Sequence, residues 1–160
     1  GACITRYPGM VKKIHTAGHV IGNHSHDHNL LHYLNIKNYI VEVSQTSKLI
    51  KNEIGISPKL YRSPWLFRST ELLRSLHALH LVPMWGTFGS ELEVFQPKPH
   101  VMAKRALRLA KPGRIYIFHD GRESRGGDRA NTIHAIDLLI PELKAKGYSF
   151  VLVSEKSVTK

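Results

Sequence analysis

Short apolar runs alternate with longer helical patterns along this chain, an order that predicts β and α elements in turn. Pro8 suits a first helical turn, Met10, Val11 and Ile14 supply an apolar stripe, and Gly18 ends the segment. Val20 and Ile21 then read as a strand. A second helix is expected over residues 38–54, with Ile40, Val43, Ile50 and Ile54 near one face, Gly55 as its stop and Pro58 beyond. Residues 59–61 follow as a strand. Ser69 suits the cap of a helix bearing Leu72, Leu73, Leu76 and Leu79, after which residues 81–85 form an irregular strand interrupted by Pro83.

The second half repeats the alternation. Residues 86–99 read as a long loop, and a helix over residues 100–110 ends at Pro112-Gly113 and releases a strong apolar strand, residues 114–118. A Gly-rich, charged segment over residues 121–128 leads to a helix through Ile133, Ile136, Ile140 and Leu143. That helix has Pro141 as a kink point, stops at Gly147 and feeds a last strand, residues 149–153. His24, Arg62 and His119 each stand at the carboxyl end of a predicted strand, where α/β barrels and open α/β sheets collect active-site groups. Only about five strands are predicted, whereas a complete eight-unit barrel uses about 250 residues.

Composition narrows the class without deciding it. The 160 residues with 42% apolar content suit one globular domain over residues 1–160, and no apolar run reaches the roughly 20 residues a membrane helix needs. The single Cys3 allows no internal disulfide. A net charge of +11 favours polyanionic surroundings, but the basic residues are spread along the chain and aromatic content is 8%, which ranks nucleic acid below an enzymatic reading.

The densest chemistry is Gly22-Asn23-His24-Ser25-His26-Asp27-His28, three imidazoles and a carboxylate in five residues. Imidazole is the commonest protein metal ligand, and three protein ligands with one open position is the plan of a catalytic zinc centre. A helical turn puts His24 and His28 on one face and His26 away from them, so the outer pair is the ligand candidate. The bland alternative is a cluster drawn by chance from 11 histidines.

Ala17-Gly18-His19-Val20-Ile21-Gly22-Asn23-His24-Ser25 through His28 is similar to the H-[S/T]-x-x-[H/N] motif of the NodB-type polysaccharide deacetylases, a carbohydrate esterase family. Tyr61-Arg62-Ser63-Pro64-Trp65 resembles that family's R-x-P-[Y/W] motif, and Ile117-Phe118-His119-Asp120-Gly121 resembles its late histidine motif, continued by Asp128-Arg129. The resemblance implies a distorted, incomplete (β/α) barrel of α/β class, missing its first strand or two. It implies metal-dependent removal of N-acetyl groups from a polysaccharide, with zinc as first choice and cobalt, nickel or manganese as alternatives. In that scheme His24 and His28 bind the metal, His119 is the general acid, Arg62 orients a catalytic carboxylate, and Pro64 and Trp65 line the substrate groove.

The family's paired aspartates precede the region matched by Gly1, and Asp27 and Asp120 are expected to be turn or supporting residues instead of replacements. In the Trp85-Gly86-Thr87-Phe88-Gly89-Ser90-Glu91 region the family has an aspartate that tunes the histidine; here only Glu91 and Glu93 are near. Activity of this chain alone is therefore left open. A catalytically silent carbohydrate-binding or scaffold module is one rival, and a basic nucleic-acid-binding module is another. The resemblance also favours an N-acetylated polysaccharide partner in the cell envelope or outside the cell, and an open barrel edge raises the expectation of a dimer through that gap.

Overall fold

The computed structural model describes residues 1–86, 93–121 and 127–154. The chain divides into two compact units, Gly1–Trp85 with Leu152–Lys160, and Gly86–Val151.

The first unit runs α1 (Ala2–Arg6), α2 (Met10–Thr16), α3 (Ile36–Ile54), β1 (Leu60–Tyr61), α4 (Thr70–Ala78) and β2 (Val82–Pro83). Helix α3 starts where the Asn35 side chain accepts a hydrogen bond from the Asn38 N–H, and it ends at Gly55, whose φ of 74° is the left-handed stop that glycine adopts without strain. Its buried residues Tyr39, Val43, Thr46 and Ile50 recur at intervals of three and four, the spacing of one helical face. Helix α4 is capped by Ser69, which accepts from the Leu72 N–H, and it buries Leu72 and Leu76. Both faces close on one core of Tyr39, Val43, Tyr61, Leu72, Leu76 and Leu81. Each such apolar side chain contributes about 1.5–3 kcal/mol when withdrawn from water.

Strands β1 and β2 pair in parallel with Leu60 opposite Val82 and Tyr61 opposite Pro83. Pro83 is tolerated because the ladder uses its neighbours: Val82 donates to the Lys59 carbonyl at 2.8 Å and Met84 to the Tyr61 carbonyl at 2.7 Å. On the other side of β1, Asn23 forms a single parallel bridge with Tyr61. A Cβ at Gly22 would lie 3.3 Å from the Leu60 carbonyl oxygen, so the approach of these two backbones is made where no side chain intervenes.

The second unit contains α5 (Pro99–Arg108) and α6 (Ala130–Ala145). Proline at the first turn of α5 is preset for helix entry. Ala106, Leu139 and Leu143 form the core between these helices, with Tyr116 and Phe118 packed against it. Helix α6 continues through Pro141 as one element, forgoing the bond that position 141 would donate to the Asp137 carbonyl.

Several expected strands are not formed. Among the described residues pairing begins at Asn23, not at Val20-Ile21; of residues 114–118 only Tyr116 stands in a bridge, and residues 149–153 form no strand. Phe150, Val151 and Leu152 are exposed. Apolar β-prone residues become a strand only where a neighbouring backbone supplies hydrogen bonds, which composition cannot reveal. Helix α1 and the 3-10 turns Leu30–Leu34, Pro64–Leu66 and Glu93–Phe95 were not expected. Parts of the long loop and of the Gly-rich segment, residues 87–92 and 122–126, lie outside the described residues. Among the described residues no helix is long and apolar enough to cross a membrane.

Candidate active site

The pairing pattern sets the site. Asn23, Tyr61 and Pro83 lie side by side in three parallel segments, so His24, Arg62 and Met84 each come one residue past the carboxyl end. Asn23 anchors the first segment from a position only 1% exposed. Its backbone accepts from Arg62 at 2.9 Å and donates to Leu60 at 2.8 Å. Its Nδ2 donates to the Val43 carbonyl and Ser47 Oγ, and its Oδ1 accepts from the Ser25 N–H.

His24 and His28 are brought together, though not by a helical turn. Ser25 and His28 adopt left-handed backbone conformations, φ 65° and 62°, which curl the segment so that the two rings meet edge to face with centroids 5.0 Å apart. The Ser25 hydroxyl accepts from the His28 N–H. His24 Nδ1 faces the Arg62 carbonyl oxygen, which can only accept, so the proton is on Nδ1 and the lone pair on Nε2. Fixing one ring nitrogen on a carbonyl in this way is the usual support of a metal-binding histidine. His26 turns instead toward Gly1, packing its ring there, while its carbonyl accepts from Ala2 at 2.9 Å.

Arg62 is half-buried, and desolvation lowers its pKa from the ordinary guanidinium value. Among the described residues no carboxylate pairs with it. Pro64 is buried, and its carbonyl accepts from the Tyr33 hydroxyl at 2.9 Å. Trp65 is 56% exposed, its ring centroid 5.3 Å from that of His28. Its φ of 57°, followed by 53° at Leu66, is strained for residues with bulky side chains.

The second unit holds His119 in a network of its own. Its Nδ1 lies 2.8 Å from Oε2 of Glu93, a carboxylate only 4% exposed. Thr132 donates to the other oxygen of Glu93 at 2.8 Å, and Arg129 Nη1 stands 3.5 Å from it. The carboxylate therefore orients the imidazole through Nδ1. Of the two glutamates the sequence offered near His119, Glu93 is the one in contact with it; Glu91 lies outside the described residues. Asn23 and Thr132 were not singled out as supports, and Arg129 was named only as a continuation of the late histidine motif.

A second group also deserves a metal test. Asp27, His32 and Glu42 bring one ligand atom each within 4.8 Å of one another. Here, however, Asn29 Oδ1 is engaged by the Leu31 N–H, so its amide Nδ2 donates to His32 Nε2 at 3.1 Å. The ring hydrogen is then on Nδ1, facing the Glu42 carboxylate and occupying the position a cation needs. Burial, then the Asp27 charge, raises the Glu42 pKa. The chemistry of the donors favours His24 and His28. An apolar cleft of about 390 Å³ near Val20, Ile54, Ile56 and Leu60 contains none of these residues.

Parallel strand ends thus present a pair of histidines, with His24 held through Nδ1 on a carbonyl, as a candidate active site. A family model described as polysaccharide deacetylase matches residues 1–83, and the chain belongs to that family. It is 28% identical over 156 residues to a peptidoglycan-N-acetylglucosamine deacetylase of Bacillus cereus, covering 97% of this chain and 71% of that protein. A second such protein of the same organism is 26% identical over 91% of this chain, which spans only 52% of it. A chitooligosaccharide deacetylase of Azorhizobium caulinodans is 28% identical, over 93% and 74% of the two chains.

Among solved structures, a polysaccharide deacetylase from Bacillus cereus superposes with a TM-score of 0.82 at 25% identity, covering 98% of this chain and 77% of that one. A CE4 family pseudoenzyme from Bacillus anthracis has the same fold, with a TM-score of 0.78 at 22% identity over 91% and 49% of the two chains. The fold is thus the NodB-type deacetylase fold, present here over part of the length of those structures.

Proposed function

We infer that this chain is a metal-dependent deacetylase module that hydrolyses N-acetyl groups of a polysaccharide, in the cell envelope or outside the cell. The observation that carries the reading is the His24–His28 pair, with rings 5.0 Å apart and the His24 lone pair placed on Nε2 by the Arg62 carbonyl. These two histidines would hold the cation, zinc first and cobalt, nickel or manganese as alternatives. When bound, the cation supplies Lewis acidity toward water and an acetamide carbonyl. Trp65, exposed beside His28, and its neighbour Pro64 are the residues against which a sugar ring would pack. Arg62 is the residue that would orient a carboxylate base, which no described side chain supplies, and His119, held by Glu93 in the second unit, is the candidate proton donor to the departing amine. Acetate and a free amino sugar result.

Zinc titration by calorimetry tests the pair. Binding by the native chain, lost in His24→Ala and in His28→Ala but kept in His26→Ala, is the expected pattern; equal loss in all three, or no binding at all, refutes it. Acetate release from N-acetylglucosamine oligomers then separates an active enzyme from a silent glycan-binding module. The second reading is favoured by one observation: among the described residues, no group of three ligand atoms within 4.8 Å includes His24 or His28.

A further inference from the structure

The turn that presents Trp65 is held at both ends by one side chain. Trp65 and Leu66 carry left-handed backbones, φ 57° and 53°, which bulky residues keep only where their surroundings enforce them. Before this pair, the Tyr33 hydroxyl donates to the Pro64 carbonyl at 2.9 Å. After it, the Tyr33 ring stacks on Phe67 with centroids 4.1 Å apart. Tyr33 itself belongs to the 3-10 turn Leu30–Leu34, which follows His28 and is capped by Asn29.

A phenol has one hydrogen to give, and the Pro64 carbonyl can only accept it. The hydroxyls of Ser63, at 2.7 Å, and Tyr39, at 3.0 Å, must then donate to the Tyr33 oxygen. Tyr39 in turn takes its bond from Tyr61. The hydrogen bonds therefore run in one direction, from Tyr61 on β1 through Tyr39 and Tyr33 to the backbone of the Trp65 turn. Tyr39, Tyr61 and Ser63 are each 1% exposed, so water does not compete for these bonds. We propose that Tyr33 is a positioning residue: by clamping Pro64 and Phe67 it holds the strained turn and keeps the Trp65 ring beside His28, preformed for the face of a sugar. The glycan contact rests on the deacetylase reading; the clamp does not.

Trp85→Phe leaves Trp65 as the only indole, and its time-resolved fluorescence anisotropy then reports the order of the turn. In that background Tyr33→Phe, which keeps the stacked ring and deletes the hydroxyl, should loosen Trp65. It should also weaken binding of a neutral N-acetylglucosamine oligomer about five-fold or more in calorimetry. Tyr39→Phe breaks the chain one step earlier but spares the Pro64 bond, so Trp65 order and oligomer affinity should stay near the parent's. Thermal melts check each fold; if Tyr33→Phe unfolds, Phe67→Leu, which withdraws the stacked half of the clamp, must loosen Trp65 instead. Unchanged anisotropy, or equal loosening in Tyr33→Phe and Tyr39→Phe, overturns the proposal. So does a loosened Trp65 with undiminished affinity, where the parent binds the oligomer. A parent that binds no oligomer sinks the glycan reading alone, and loosening of Trp65 in Tyr33→Phe still upholds the clamp.

Discussion

Replacing Asn23 by alanine should cost this protein more than most core truncations of similar size. The side chain is 1% exposed and makes three hydrogen bonds, to the Val43 carbonyl at 2.7 Å, to Ser47 Oγ at 2.8 Å and from the Ser25 N–H at 2.9 Å. The bonds to Val43 and Ser47 are worth about 1 kcal/mol net each, and stranding the buried Ser25 N–H adds about 1–3 kcal/mol, for a loss of roughly 3–5 kcal/mol. At about 2–4 °C per kcal/mol for a chain of this size, the melting midpoint should fall by roughly 10 °C. Urea unfolding followed by circular dichroism measures it as a shift of midpoint at constant slope. Ser47→Ala removes one of the three bonds and should cost only about 1 kcal/mol. Because Asn23 also fixes Ser25 between the two histidines, zinc affinity should drop about 10–100-fold in Asn23→Ala. A stability loss below about 1 kcal/mol, with zinc affinity unchanged, refutes the anchoring argument.

Three further outcomes are expected. Trp65→Gly relieves a left-handed φ of 57° and should raise stability by about 1 kcal/mol while weakening oligosaccharide binding; a destabilised variant with intact binding contradicts the strain argument. Glu93→Ala removes a buried carboxylate held by His119, Thr132 and Arg129 and should cost about 3–5 kcal/mol in a thermal melt, whereas Glu93→Gln, which keeps the shape, should cost less. Burial pushes the Tyr33 hydroxyl up to about 12 and also raises that of Tyr61, so spectroscopic titration of the six tyrosines should show these two lagging. Both are raised acids, so the stability they confer is complete below the ordinary tyrosine pKa of about 10 and is lost as pH climbs toward 12. Simultaneous ionisation of all six contradicts it.

The helices were largely legible because their signals are local: Ser69 before Leu72 and Gly55 after Ile54 each act within one turn. The strands were not, since Val20-Ile21 and residues 149–153 have the right residues but no ladder partner among the described residues, while Asn23, a poor strand former, makes a bridge. The histidine pair was visible as a motif, but the expected helical turn was replaced by two left-handed residues, Ser25 and His28. Nothing local could announce that Glu93 would meet a histidine 26 residues later.

The side-by-side alignment of Asn23, Tyr61 and Pro83 separates scaffold from specificity. The three backbones are locked at the rung itself, and the turns that leave it after Arg62 and Met84 lie beyond the last shared hydrogen bonds. Those turns can be lengthened or exchanged without shifting the rung, so grafting experiments that retool this protein for other polymers should begin there, leaving the histidine pair in place.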